Sequence, residues 1–123
     1  MIRELFLRTR SYRRFDPSVK ITRDDLEELV ELTRFCPSAA NLQPLKFVLS
    51  WEASRNEKIF PCLSWAAYLT DWEGPARSEQ PGGDVVILQD RQVLQESGID
   101  HGIAALAIAL GATEKGLGGC IVA

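Results

Sequence analysis

The run Ile103-Ala-Ala-Leu-Ala-Ile-Ala-Leu110 constrains the fold more than any other stretch of this chain. The helix around it is predicted to start near Ser97 or Asp100 and to end at Lys115, with Gly116 as its C-terminal cap. Its middle is apolar on every side, so it has no face to give to water and needs cover all round, as the central helix of a globular core. Its four alanines allow another backbone to come close, one from a second subunit included. With 123 residues, 46% hydrophobic and 25% charged, the chain has material for a single domain, residues 1–123, around that helix.

The other elements are then placed by their local signals. Residues 2–8 suit a short helix with Ile2, Leu5 and Phe6 on one side. Thr22 with Asp25 makes a variant capping box, and Ile21 with Leu26 occupies the hydrophobic-staple positions. Leu26, Leu29, Val30 and Thr33 follow helical spacing for an inward face that Leu32 and Phe35 extend, and Pro37 closes the helix. Lys46–Trp51 reads as a strand and residues 52–60 as a helix interrupted by Pro61. An apolar helical pattern resumes over Leu63–Leu69, and residues 72–83 are a loop. Asp84–Asp90 is the clearest strand, with a continuous apolar centre that predicts burial on both faces. Residues 117–123 look like the start of a further strand. About three strands and three or more helices around one sheet make the class α+β or α/β.

Bulk properties exclude several functions. A net charge of −3 argues against a nucleic-acid binder. No apolar run approaches the roughly 20 residues that cross a bilayer, and the charged N-terminus lacks a signal peptide's apolar centre, so a cytoplasmic location is expected. Three cysteines, Cys36, Cys62 and Cys120, without CxxC spacing indicate neither a disulfide framework nor a zinc site, and are expected to be buried thiols. A single histidine, His101, rules out a multi-histidine metal centre; beside Asp100 it is either a proton donor or part of the capping and packing of the helix start. No nucleophile-elbow, dinucleotide-binding or phosphate-loop motif is present, which sets aside a hydrolase of those types.

Two segments stand out for chemistry. Arg8-Thr-Arg-Ser-Tyr-Arg-Arg-Phe15 packs four arginines into eight residues of an acidic protein. It is either a solvated basic patch or an anion site in which Arg10 and Arg13 clamp a phosphate and Ser11 adds a donor. Pro37-Ser-Ala-Ala-Asn-Leu-Gln-Pro44 is bounded by prolines that stop regular structure at each end. It is either a plain helix-to-strand connector or a small-residue loop whose backbone N–H groups approach a bound ring. Together with the Gly-rich turn Gly116-Leu-Gly-Gly119, these segments form a cofactor-shaped pattern in which the bound group supplies the reactivity.

Three segments in order carry a resemblance: Arg10–Phe15, Pro37–Pro44 followed by Leu45–Leu49, and Asp100–Ala105 leading to Glu114–Cys120. On these the chain resembles the FMN-dependent nitroreductase family. The resemblance implies an α+β fold with a central, mainly antiparallel sheet flanked by helices. It implies a homodimer with one FMN per subunit at the interface, and a ping-pong transfer of hydride from NAD(P)H through the flavin to a nitroaromatic, quinone or similar acceptor. It places Arg10, Ser11 and Arg13 on the FMN phosphate and ribityl chain. Pro37, Ser38, Ala39 and Asn41, with Gln43 adjacent, fall on a loop that reaches the partner's flavin. An N–H near Ala123 falls beside the reactive ring nitrogen. Thr9 stands where many members carry a further arginine. Members of that family continue beyond the position of Ala123, so the resemblance also implies a C-terminally shortened domain. The alternative it leaves is a non-catalytic flavin-binding or dimerising remnant.

Overall fold

The computed structural model describes residues 1–122, so the expectation attached to Ala123 lies outside the described residues. The capping box forms as its spacing requires. The Thr22 hydroxyl accepts from the Asp25 N–H at 3.2 Å while the Asp25 carboxylate accepts from the Thr22 N–H at 2.9 Å. Hydrogen bonds from Thr22, the backbone one foremost, hold the Asp25 carboxyl below the usual carboxylate range. This start launches α2 (Arg23–Glu31), preceded by the short α1 (Ile2–Arg8). Leu26 and Leu29 are buried and meet Ala112 to make the core. The chain then tightens into a 3₁₀ turn over Leu32–Phe35. That change of period rotates Phe35 into solvent, where it is 79% exposed, so it does not extend the inward face; Leu32 is exposed as well.

Strands β1 (Leu45–Ser50) and β2 (Asp84–Gln89) form an antiparallel pair with Leu45 opposite Gln89 and Ser50 opposite Asp84. Leu45, Phe47 and Leu49 turn inward while Lys46 and Val48 are exposed, the period-2 alternation of a sheet covered on one face. Burial of β2 on both faces is therefore not found, and Leu88 stands exposed beside Val48. Among the described residues the sheet has two strands rather than three. The segment after Leu117 contributes a single parallel bridge, Ser11 to Gly119. Between the strands, α3 (Ala53–Ile59) ends in a 3₁₀ turn containing Pro61. The helical pattern over Leu63–Leu69 does not form a helix. Ala66 takes a positive φ of 39°, and Trp65 is drawn under the chain between Phe15 and Phe60, 6.5 and 6.0 Å away by ring centroid. Gly74, at φ +106°, closes over Trp65 so tightly that a Cβ there would lie 2.9 Å from the indole.

Helix α4 (Asp100–Glu114) runs through the middle, with Asp100, Ala104, Gly111, Ala112 and Thr113 buried. At Gly111 it touches α2 and the 3₁₀ turn after it so closely that a Cβ would collide with Leu32 and crowd Leu29. Cover on every side is not found among the described residues: Leu106 is 43% exposed and Ile103, Ala107 and Leu110 are half-buried, because α1, α2 and the strand pair reach only part of the helix. The cysteines are not buried thiols either, with Cys62 exposed and Cys36 and Cys120 intermediate. His101 is exposed, and the N-terminus of α4 has no side-chain cap, so His101 serves neither capping nor packing. Among the described residues no helix is long and apolar enough to cross a membrane.

Candidate functional site

The arginine segment is held at the C-terminal end of α4. Arg8 donates to the Thr113 carbonyl at 3.2 Å, and the Thr9 and Thr113 hydroxyls bond at 2.9 Å. Arg8 is thus engaged at the helix end through one of its guanidinium nitrogens. Beyond this anchor the backbone runs beside the Gly-rich turn: the Tyr12 N–H donates to the Gly119 carbonyl at 3.0 Å. The turn is closed by Gly116, whose φ of +78° suits glycine, with the Leu117 N–H reaching back to the Ala112 carbonyl. Gly118 must be glycine for a second reason, since a Cβ would sit 2.7 Å from the Tyr12 ring.

Arg10 and Ser11 are exposed here, while Arg13 folds back across the segment. One guanidinium N–H of Arg13 donates weakly to the Ser11 carbonyl at 3.4 Å, and its planar head lies 5.5 Å from the centre of the Tyr68 ring. Its Nε is shut away from solvent and has no hydrogen-bond acceptor. Ser11 and Arg13, with Arg14 beside them, line an open groove of about 770 Å³ whose other side is Tyr68, Asp71 and Trp72; Arg10 is not part of its wall. Cys120 lies close by; burial pushes its thiol up while Arg13 pulls the other way. Tyr68 carried no sequence signal for this role, because it meets Arg13 only through the irregular chain after Pro61.

The Pro-bounded loop is built at the other end of α4. Ser38 donates to the buried Asp100 carboxylate at 2.5 Å and accepts from the Gln43 N–H at 3.0 Å. The Gln43 side chain donates to Asn41 at 2.8 Å. Pro37, Ala39, Asn41 and Gln43 are exposed, whereas Pro44 is fully buried. Pro37, Ser38 and Gln43 border a recess of about 500 Å³ floored by Phe47 and Ala104. Asp100 is the residue of this loop's surroundings that the sequence reading missed: its partner lies 62 positions away, beyond any local pattern.

The structure therefore brings Arg10, Ser11 and Arg13 together, and Pro37, Ser38, Ala39, Asn41 and Gln43 together, but not the two sets. Asp100 and Thr113, their anchors, stand 13 residues apart on α4. At about 1.5 Å per residue that separation is about 20 Å.

A sequence model described as "Nitroreductase family" matches residues 7–76. "Putative NAD(P)H nitroreductase YdgI" of Bacillus subtilis is 34% identical over 62 residues, which are 50% of this chain and 30% of that protein. A Haemophilus influenzae protein of the same printed class is 37% identical over 62 residues, 28% of its length. Among solved structures, an FMN-dependent nitroreductase from Clostridium difficile superposes with a TM-score of 0.73 at 24% identity, covering 96% of this chain and 63% of that one. A nitroreductase with bound FMN from Bacteroides fragilis gives 0.68 at 22% identity, covering 97% and 67%. These likenesses establish the fold as α+β of the nitroreductase type. The matched segment spans less than a third of the two curated relatives.

Proposed function

The chain belongs to the nitroreductase family, and from that premise we propose that it binds one FMN per subunit at the interface of a homodimer and works as an NAD(P)H-dependent oxidoreductase in the cytoplasm. The observation that carries this reading is Arg13 on the wall of an open groove, with its Nε buried and without an acceptor. A polar donor closed off from water without an acceptor costs about 1–3 kcal/mol, more for a charged group, so an anionic oxygen completes it. The FMN phosphate offers such an oxygen, with the Ser11 hydroxyl as a further donor on the same groove and Arg10 exposed next to it in the chain.

The loop at the other end of α4 serves the flavin held by the second subunit. Two observations support this: the distance of about 20 Å between the two halves along α4, and the uncovered Leu106 face of a helix with no polar side. Pro37, Ala39 and Asn41, exposed and short, close the ring site against water without crowding it. Bound FMN supplies the hydride-carrying chemistry between the nicotinamide and a nitroaromatic, quinone or similar acceptor. The arginines favour the charge that accumulates on the cofactor during reduction.

Titrating FMN into the purified protein tests this reading. Saturable quenching of flavin fluorescence at one FMN per chain is expected, with a solution mass twice 13.7 kDa. Anaerobic NADH or NADPH should then bleach the flavin band. Absence of saturable binding together with no FMN-dependent rise in melting temperature overturns the proposal. Binding without bleaching reduces it to a flavin-binding unit that does not turn over.

A further inference from the structure

Within the Pro-bounded loop, three non-glycine residues, Ala40, Asn41 and Gln43, hold positive φ angles of 50°, 52° and 49°. Side chains of L-residues rarely adopt that conformation, and a cluster of them persists only where surrounding contacts over-determine it. The contacts are on the page. The Asn41 N–H donates to the Ser38 carbonyl at 2.9 Å and the Leu42 N–H to the Ala39 carbonyl at 3.1 Å. The Pro44 carbonyl, which follows the strained residues, accepts from the Asp90 N–H at 2.7 Å and ties the back of the loop to the end of β2.

At the front, the Ser38 hydroxyl ties the loop to α4 through Asp100, while the Gln43 side chain adds a bond to Asn41 within the loop at 2.8 Å. A hydroxyl carries one proton and two lone pairs. With the proton on Asp100 Oδ2 at 2.5 Å and a lone pair on the Gln43 N–H at 3.0 Å, Ser38 has no proton left to donate to a ligand. Asp100 is only 7% exposed, so its carboxylate is placed by the fold and its direction toward Ser38 is built in.

We infer that Asp100 is a positioning residue that acts through Ser38. It orients the Ser38 hydroxyl, the hydroxyl captures the Gln43 N–H, and that closure holds Ala40, Asn41 and Gln43 in the left-handed conformation. The loop thereby presents Ala39 and Asn41 outward in a single arrangement. Ser38 is a relay in this scheme and not a ligand-contacting group. Assigning the arrangement to the flavin site rests on the proposed function; the relay itself does not.

The experiment measures amide hydrogen exchange at Gln43, with Asp90 as an internal reference, and FMN affinity in the same variants. Ser38→Ala and Asp100→Ala should each speed Gln43 exchange by about 10-fold or more, as expected for losing a charge-assisted hydrogen bond, and leave Asp90 unchanged. The double variant should be no faster than either single one. Ser38→Thr should restore protection, since Ser38 sits in extended backbone that threonine accepts. Where Asp100→Ala does not fold, Asp100→Ser keeps a residue that suits a helix start but falls short of Ser38. FMN affinity should fall in parallel with Gln43 protection. Unchanged Gln43 exchange in folded Ser38→Ala, or in both Asp100 variants, overturns the inference. Faster exchange with undiminished FMN affinity supports the relay and overturns the placement of this loop against the flavin.

Discussion

The two halves of the candidate site are anchored to opposite ends of one helix, and they treat their polar groups in opposite ways. At the Pro-bounded loop the groups are consumed internally: Ser38 between Asp100 and Gln43, and Asn41 by the Gln43 side chain. At the arginine segment the groups are left over. Arg13 Nε is buried and unpaired, and among the described residues Arg10 has neither an ion pair nor a side-chain hydrogen bond. A region that satisfies itself is a preformed surface whose shape is its contribution. A region that leaves a desolvated cation incomplete gains from a ligand. Under the proposed function, the difference separates the part that shapes the site from the part that grips the anion.

The contrast has a common support, and removing it should break both halves at once. Leu29 is 5% exposed in the core against Ala112 of α4. Leu29→Ala is expected to cost about 3 kcal/mol in denaturant unfolding, and both FMN affinity and Gln43 protection should decline with it. Retention of either one at full strength would show that α4 does not couple them. A smaller effect sharpens the contrast. Arg13→Ala should weaken FMN binding by about 2 kcal/mol, roughly 30-fold, yet leave unfolding stability unchanged or raised, because a dissatisfied donor is removed. Arg14→Ala should lower affinity by less than about 3-fold, since Arg14 lines the same groove but is exposed, where its charge is screened. Equal effects from the two arginines would remove the anion clamp from Arg13.

A separate effect lies away from both halves. Asp84 sits at the end of the strand pair remote from Pro44, opposite Ser50, and burial pushes its carboxyl up to about 6. The folded state disfavours the charged form, so this contribution to stability is fully present below the ordinary carboxylate range and is lost as pH rises through about 6. Asp84→Asn should therefore raise stability near neutral pH by on the order of 1 kcal/mol, discounted for partial solvent screening, and flatten the curve between about pH 4 and pH 7.5. FMN affinity should not move. An equal gain at both pH values would point to packing, not charge.

Much of the molecule was legible residue by residue. The capping box at Thr22, the helix ends at Pro37 and Gly116, and the alternation of β1 depend on near neighbours, so their signals lie within a few positions of the residues they control. The readings that failed share the opposite property. Phe35 faces solvent because the helix changes period after Glu31. Residues 63–69 are not helical because Trp65 is drawn between Phe15 and Phe60. The cover of α4 stops partway because only some elements reach it.

The site divides along the same line. The sequence alone determined which side chains it contains: the arginine cluster, the proline-bounded small residues and the glycines of the turn are chemical facts of the chain. Only the tertiary structure decided that these stand at opposite ends of α4, that Arg13 loses its water over Tyr68, and that Asp100 reaches Ser38 across 62 positions. Residue type and short spacing set what chemistry is possible. Distance, desolvation and the use of a lone proton belong to pairs of residues remote in sequence, and those pairs exist only once the chain has packed.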